Sequence, residues 1–555
     1  MMKLRCTDAL RVCLAVILIV ASAALMVPGQ LVHGQPAVAE GGQPAAAEGT
    51  QRRLVPVDGG STREGPSVKA TVDRGAAVGQ GDRSHRPNVL FILTDNQGPW
   101  SLGCYGNRDI YTPHLDRLAS EGALFTQAFA NNPVCSPTRA TWLTGWTPSR
   151  HGVHRYLSPE LFQGAKAYDT LRECETLQEM FAASGYYQGW IGKCHLGDHL
   201  HSRRGVDFWN VKLGGHTTSF LHEQVIEGGV VREHPGHVTH YWTENAVRFL
   251  EGAAKQEKPF FLFLAYNGPY GLQRCVTEPA PEPWASYYRD RPMTDWPRPT
   301  AAHPTQRSDR NHIGNLQVMR NLAGQISAVD EGVGVVLEQL ERLQLAEETL
   351  VVFTSDQGAV AGHAGFWGMG DHASPNHLRD GTLRVPLIVR WPGKVRPGSR
   401  ESIVANYDFV PTLRSLLSLS ARQPIEELPG RDWSRLLLQE EPLEEDILFA
   451  EFELTRGVRT KEWKYVRRLA GGPERELYDL KGDPDELHNL ALAPDAAQQA
   501  IMRQLDTRLQ GWFAKHSSAA WDLWNGGNSQ GKVTGELRKF LEAKQPKPRM
   551  KAVLP

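Results

Sequence analysis

Residues 88–94 read NVLFILT, a nearly continuous apolar run of strand length, the pattern of a strand covered on both faces. Similar runs stand near 187–191, 259–265, 350–355 and 385–390. Between the runs at 259–265 and 350–355, Leu316, Leu322, Ile326, Val329, Val333, Val336 and Leu340 keep a near-helical period, which predicts one long helix covering the sheet. Shorter helical patterns follow Thr112, an N-cap residue, and Pro137. Strand and helix alternate throughout, so the expected fold is α/β: a large mixed, mostly parallel, doubly wound sheet sandwiched by helices. Past about residue 420 the pattern changes to short alternating strands joined across Gly471-Gly472. A helical period near 494–515 then places Ile501, Leu505, Leu509 and Trp512 on one face, predicting a smaller C-terminal α+β subdomain.

A chain of 555 residues with 41% hydrophobic content can fill a large core. Its 61 basic and 62 acidic residues nearly cancel, so nucleic acid is not an expected partner. Lys3, Arg5 and Arg11 precede a short apolar run at 12–27 and then Pro28-Gly29, so residues 1–34 read as a secretory signal peptide. The run is shorter than the roughly 20 residues that cross a bilayer. No stable membrane span is expected, an uncleaved anchor is the weaker alternative, and the protein should be secreted or periplasmic. Residues 35–86, rich in Ala, Gly, Pro, Glu and Gln, have too little apolar surface to fold and read as a disordered linker. The main domain is expected at 87–420, the subdomain at 421–515 and a partly disordered tail at 516–555. Cys6 and Cys13 leave with the signal, and of the remaining cysteines Cys104, Cys174, Cys194 and Cys275 can bridge in an oxidising compartment.

The candidate chemistry centres on residues 131–154. Cys135 stands two residues before Pro137, which fits a first helical turn, where free amides and the dipole favour an anion. Arg139, one turn on, shares its face and offers a planar fork of donors. Asp95-Asn96 and Asp356-Gln357 each follow a buried strand, the edge where open α/β sheets bind ligands, and together offer four oxygens to a hard cation. An aspartate there also commonly caps a turn. Lys193 and His195, two apart at another strand end, suit a cation beside a proton carrier.

The pentapeptide Cys135-Ser136-Pro137-Thr138-Arg139, with Thr144-Gly145 downstream, resembles the signature of the sulfatases, within the alkaline phosphatase superfamily. In that family a formylglycine-generating or sulfatase-maturing enzyme oxidises the cysteine to formylglycine, whose hydrate attacks sulfur. The resemblance implies Cys135 as the nucleophile's precursor, Arg139 and Lys193 holding it, and His195 as proton carrier. It also implies a calcium ion on Asp95, Asn96, Asp356, Gln357 and the side chain at 135. Gly192-Lys193-Cys194-His195-Leu196-Gly197 is similar to the family's Gly-Lys-Trp-His-Leu-Gly, and the resemblance runs to about Leu490.

Four departures stand out. Asn96 replaces the usual Asp, and Gln357 a frequent Asn, which thins the charge around the ion. Tyr270 follows Pro269 where many members carry histidine, and Pro375 occupies the place of a second lysine. His363, His372 and His377 stand near that gap and are candidates for substrate contact, as are Tyr270 itself and His151 with His154. Trp284, Tyr287, Tyr288 and Trp296 mark the proline-rich connection 271–311 as a lid, a grip on a sulfated glycan or, equally, a packed surface flap with no ligand. The expected activity is hydrolysis of sulfate esters, with a sulfated polysaccharide as the substrate class. A phosphonate or phosphodiester hydrolase on the same framework, or a sulfated-glycan-binding protein without catalysis, are the alternatives.

Overall fold

The computed structural model describes residues 86–531 and 535–544. The expected signal peptide, nearly all of the linker and the end of the tail lie outside them.

The main sheet has ten strands. In chain order they are β1 (Asn88–Asp95), β2 (Ala123–Phe125), β3 (Tyr187–Gly192), β4 (Phe208–Lys212), β5 (Glu223–Glu227), β6 (Val230–His234), β7 (Phe260–Pro269), β8 (Thr349–Ser355), β9 (Leu387–Arg390) and β10 (Gly398–Arg400). Across the sheet they run β10-β2-β9-β8-β1-β7-β3-β4-β5-β6. The central strands β8, β1, β7, β3 and β4 are parallel, while β9 and the β5–β6 hairpin run against their neighbours. The hairpin was not legible as strands, because its outer strand is exposed and lacks the apolar run that marks the centre.

The two-sided burial of β1 follows from its letters. Val89, Phe91 and Leu93 join one core cluster, with Trp142 and Phe409, and Leu90 and Ile92 join the other, with Ile326 and Val333. Of the helices α1 (Pro113–Ser120), α2 (Cys135–Thr144), α3 (Val238–Ala253), α4 (Leu316–Arg342) and α5 (Phe409–Leu417), α2 and α5 cover the first face and α3 and α4 the second. The long helix expected over the sheet is α4, started by Asn315, whose side chain accepts from the N–H groups of Gln317 and Val318.

The C-terminal part is a four-stranded antiparallel sheet, residues 447–479, backed by α6 (Ala496–His516). The buried face of α6 is Met502, Leu505, Leu509 and Phe513, one residue round from the expected stripe. Trp512 instead stacks on Phe449, centroids 4.6 Å apart. Residues 517–531, read from sequence as tail, are packed: Trp521 covers Gly152 and Asp522 pairs with Arg456 at 2.6 Å. Their anchors are single residues rather than a periodic face, so pattern alone missed them. Among the described residues all five cysteines are free, so the bridges allowed by sequence do not form. No described helix is long and apolar enough to cross a membrane.

Candidate active site

Strand register brings the site together. Thr94 pairs with Ser355 across β1 and β8, and the next residue on each strand is an aspartate. Asp356 N–H donates to the Thr94 carbonyl at 3.0 Å, so the two carboxylates emerge side by side. On the other side of β1, Tyr270 N–H donates to the Asp95 carbonyl at 3.1 Å, and Lys193 N–H donates to Ala265 on β7 at 2.8 Å. Four adjacent parallel strands thus deliver Asp356, Asp95, Tyr270 and Lys193 to one sheet edge.

Helix α2 supplies the remaining groups. Cys135 is its first residue, after Val134 in extended conformation, and Gly145 ends it in the left-handed region (φ 70°). One ligand atom each from Asp95, Cys135 and Asp356 lies within 4.8 Å of the other two, all buried. Cys135 Sγ is 3.4 Å from Asp95 Oδ1 and 3.2 Å from Gln357 Nε2, which also contacts Asn96 Oδ1. Lys193 Nζ is paired with Asp95, both side chains fully buried.

Arg139 lies one turn along α2 from Cys135, and its partner is a carboxylate. Its Nε and Nη2 reach Asp356 Oδ2 at 2.9 and 2.8 Å, and Nη1 donates to the Lys193 carbonyl at 3.0 Å. The fork thereby orients a carboxylate, while Nη2, at ion-pair distance from it, makes no hydrogen bond.

The electrostatics follow from burial. Desolvation first, and then the Asp95 charge, hold the Cys135 thiol well above its usual range, so an unmodified thiol here stays protonated at neutral pH. The same two causes, in the same order, push the Asp356 carboxyl up. Burial is the largest influence on Lys193 and opposes its charge, but Asp95, Cys135 and Asp356 together outweigh it and keep the amine cationic. Burial, followed by Lys193, holds His195 neutral.

The residues fit a divalent cation. Each buried carboxylate has a cationic partner, Lys193 or Arg139, yet one atom of each converges with Cys135 Sγ within 4.8 Å, and Gln357 Oε1 is a buried oxygen without a hydrogen-bond partner. The ligand set would be Asp95, Asn96, Asp356, Gln357 and the side chain at 135.

The other predicted residues divide. Tyr270 is at the centre: its ring centroid is 5.2 Å from Lys193 Nζ and its hydroxyl is 3.2 Å from His216 Nδ1. His195 lies behind, its ring 5.2 Å from His216 and its Nε2 3.4 Å from the Leu157 carbonyl. His372 stands 3.3 Å from Asp309, whose hydrogen bond raises its pKa against the opposing effect of burial. His363 and His377 instead line a separate cavity of about 460 Å³ shared with the C-terminal sheet. His151 and His154 are buried in loop packing, against Thr141 at 3.3 Å and the Trp521 carbonyl at 2.8 Å.

His216 is the residue that sequence reasoning missed. It follows β4, ringed by Tyr156, His195 and Tyr270, and like Tyr156 it is partly exposed, whereas His195 and Tyr270 are buried. Its signal was Gly214-Gly215: a Cβ on Gly215 would meet His195 Nε2 at 2.3 Å, so glycine lets this loop lie on His195. Burial, then Lys193, lowers the His216 pKa to about 4.

Comparison with known proteins agrees with this geometry. The family model Sulfatase matches residues 87–419, and the model N-sulphoglucosamine sulphohydrolase, C-terminal, matches residues 372–515. An N-acetylglucosamine-6-O-sulfatase of Bacteroides thetaiotaomicron is 26% identical over 507 residues, covering 77% of this chain and 86% of the relative. An ulvan-active sulfatase of Formosa agariphila is 27% identical over 460 residues, covering 79% and 83%. A solved structure in complex with D-glucosamine-2-N,6-O-disulfate superposes with TM-score 0.65 at 23% identity, covering 78% of this chain and 98% of the other, and shares the fold. The buried helix that begins at Cys135, the acid pairs at the strand ends and a match over more than half its length lead to one conclusion: the chain belongs to the sulfatase family and is a sulfuric ester hydrolase.

Proposed function

We propose that this enzyme removes sulfate from a sulfated glycan, with residue 135, oxidised to formylglycine, as nucleophile and calcium at its side. One observation carries the reading: Asp95, Asp356 and Cys135 converge within 4.8 Å at the edge of a buried sheet. The substrate class follows the relatives, whose names specify an N-acetylglucosamine 6-O-sulfate and ulvan.

Calcium would draw charge from the sulfate oxygens, and formylglycine would supply the attacking oxygen. The chain's own groups do the rest. Lys193 fixes Asp95 and adds a permanent positive charge beside the sulfate. Arg139 fixes Asp356. His195 is neutral with Nδ1 unpartnered, and serves as a proton acceptor. His216, held on Tyr270, takes the place of the absent histidine: neutral in the free enzyme, it gains a proton when the negatively charged sulfate ester binds beside it, and gives that proton to the departing ester oxygen as the S–O bond breaks. Its partial exposure allows reprotonation from water.

Two results are expected. His216→Gln should slow desulfation of a sugar sulfate by about 100-fold while barely changing an aryl sulfate with an acidic leaving group, since general acid help matters most for poor leaving groups. Equal losses on both substrates would remove His216 from the proton path. Asn96→Asp should tighten calcium binding by adding a charged oxygen, measured by calorimetry; unchanged affinity would put residue 96 outside the shell. The function as a whole is tested by assaying sulfate release from a panel of sulfated polysaccharides with calcium and with chelator. Release that is calcium-dependent on at least one polymer is expected, and none on any would overturn the substrate class.

A further inference from the structure

The connection 271–311 divides in the structure. Trp296 and Tyr288 are core residues, with Trp296 Nε1 donating to the Ala361 carbonyl at 2.7 Å and the Tyr288 hydroxyl 2.7 Å from Ser327. Tyr287 faces solvent, 36% exposed, and so does Tyr111, at 48%, from the loop before α1. Among the described residues these are the two aromatic side chains in the exposed class, and they touch each other, centroids 5.7 Å apart. Half-buried Trp284 completes the cluster, 6.1 Å from Tyr111 and 5.8 Å from Tyr287. Isolated exposed aromatics need no explanation, whereas exposed rings gathered at one place do.

The cluster is pre-organised. Tyr111 is tied on both sides of its peptide: its N–H donates to the Tyr288 hydroxyl at 2.8 Å and its carbonyl accepts from Ser327 Oγ at 2.8 Å. Trp284 Nε1 donates to Glu331 at 2.7 Å. Tyr287 N–H donates to the Pro283 carbonyl at 3.0 Å, so both exposed rings are mounted on hydrogen-bonded backbone, and binding would cost little ordering.

Charges of both signs surround it, three guanidinium groups and three carboxylates. The Arg291 guanidinium lies 4.0 Å over the Tyr287 ring, and Arg289 donates to Ser286 Oγ of the same short helix. Arg320, on α4, donates to the Arg291 carbonyl at 2.9 Å. The nearby carboxylates are Glu282, which accepts from Ser286, Glu331, which holds Trp284, and exposed Asp290. Apolar ring faces suit the C–H faces of sugars, and guanidinium forks suit sulfate or carboxylate oxygens.

We propose that Tyr111, Trp284 and Tyr287, with Arg289, Arg291 and Arg320, form a non-catalytic platform that holds a sulfated polysaccharide chain outside the active site. The choice of polymer rests on the glycan reading above; the platform itself rests on exposed rings and arginines.

Native gels containing chondroitin sulfate, dextran sulfate or neutral dextran test it. The wild-type protein should be retarded by at least one sulfated polymer and not by neutral dextran. Tyr111→Ala/Tyr287→Ala, and separately Arg289→Gln/Arg291→Gln, should weaken that retention at least ~5-fold in Kd. Turnover of a small aryl sulfate should stay unchanged in both. Retention unaffected by the tyrosine variant, or no retardation of the wild type by either sulfated polymer, overturns the proposal. Lost retention in the tyrosine variant, in an enzyme that desulfates no polysaccharide, supports the platform and rejects the substrate class. Polymer desulfation with retention indifferent to the tyrosines does the reverse.

Discussion

Cys135→Ala will leave the fold standing and lower sulfate ester turnover by at least ~10⁴-fold, the scale expected when a nucleophile is removed. The side chain is small and buried, so the cavity left by sulfur costs about 1 kcal/mol. Thermal unfolding should therefore shift little while hydrolysis of an aryl sulfate disappears. The contrast is informative because the thiol contacts both Asp95 and Gln357. Substantial residual turnover in a folded variant would mean that the attacking group comes from elsewhere.

Asp356→Ala will remove activity and stability together. Arg139 is fully buried, and Asp356 is the carboxylate that its Nε and Nη2 engage. Removing one partner of a buried pair leaves an uncompensated charge, at a cost of about 3–5 kcal/mol. Adding Arg139→Met should recover much of that stability, because the orphaned charge goes with it, and should recover none of the activity. Denaturant midpoints for the two variants, with aryl sulfate assays alongside, separate the two roles. Recovery of turnover in the double variant would show that Asp356 matters to the site only through Arg139.

The central sheet was legible because its strands are apolar on both faces, and the long helix because its period is sustained. The acid pairs were legible for the same reason: each sits one step past a run whose end is easy to see. That they meet was a matter of register, through Thr94 and Ser355, which no periodicity encodes. Arg139 was placed on the right helix face, but its partner Asp356 is distant in sequence, so its task as an anchor for that carboxylate appeared only in three dimensions. His216 lies in a glycine-led loop after a short strand, without apolar pattern, and only its contact with Tyr270 marks it out. The aromatic connection looked uniform as letters, and burial divided it between core and surface.

The account depends above all on the chemical state of residue 135. Mass analysis of the tryptic peptide carrying it, from protein produced beside a formylglycine-generating enzyme and assayed in parallel, is the most direct test. The peptide should be lighter by the difference between a thiol and an aldehyde, and specific activity should rise in proportion to the converted fraction. Full activity in a preparation carrying only unmodified cysteine would contradict it.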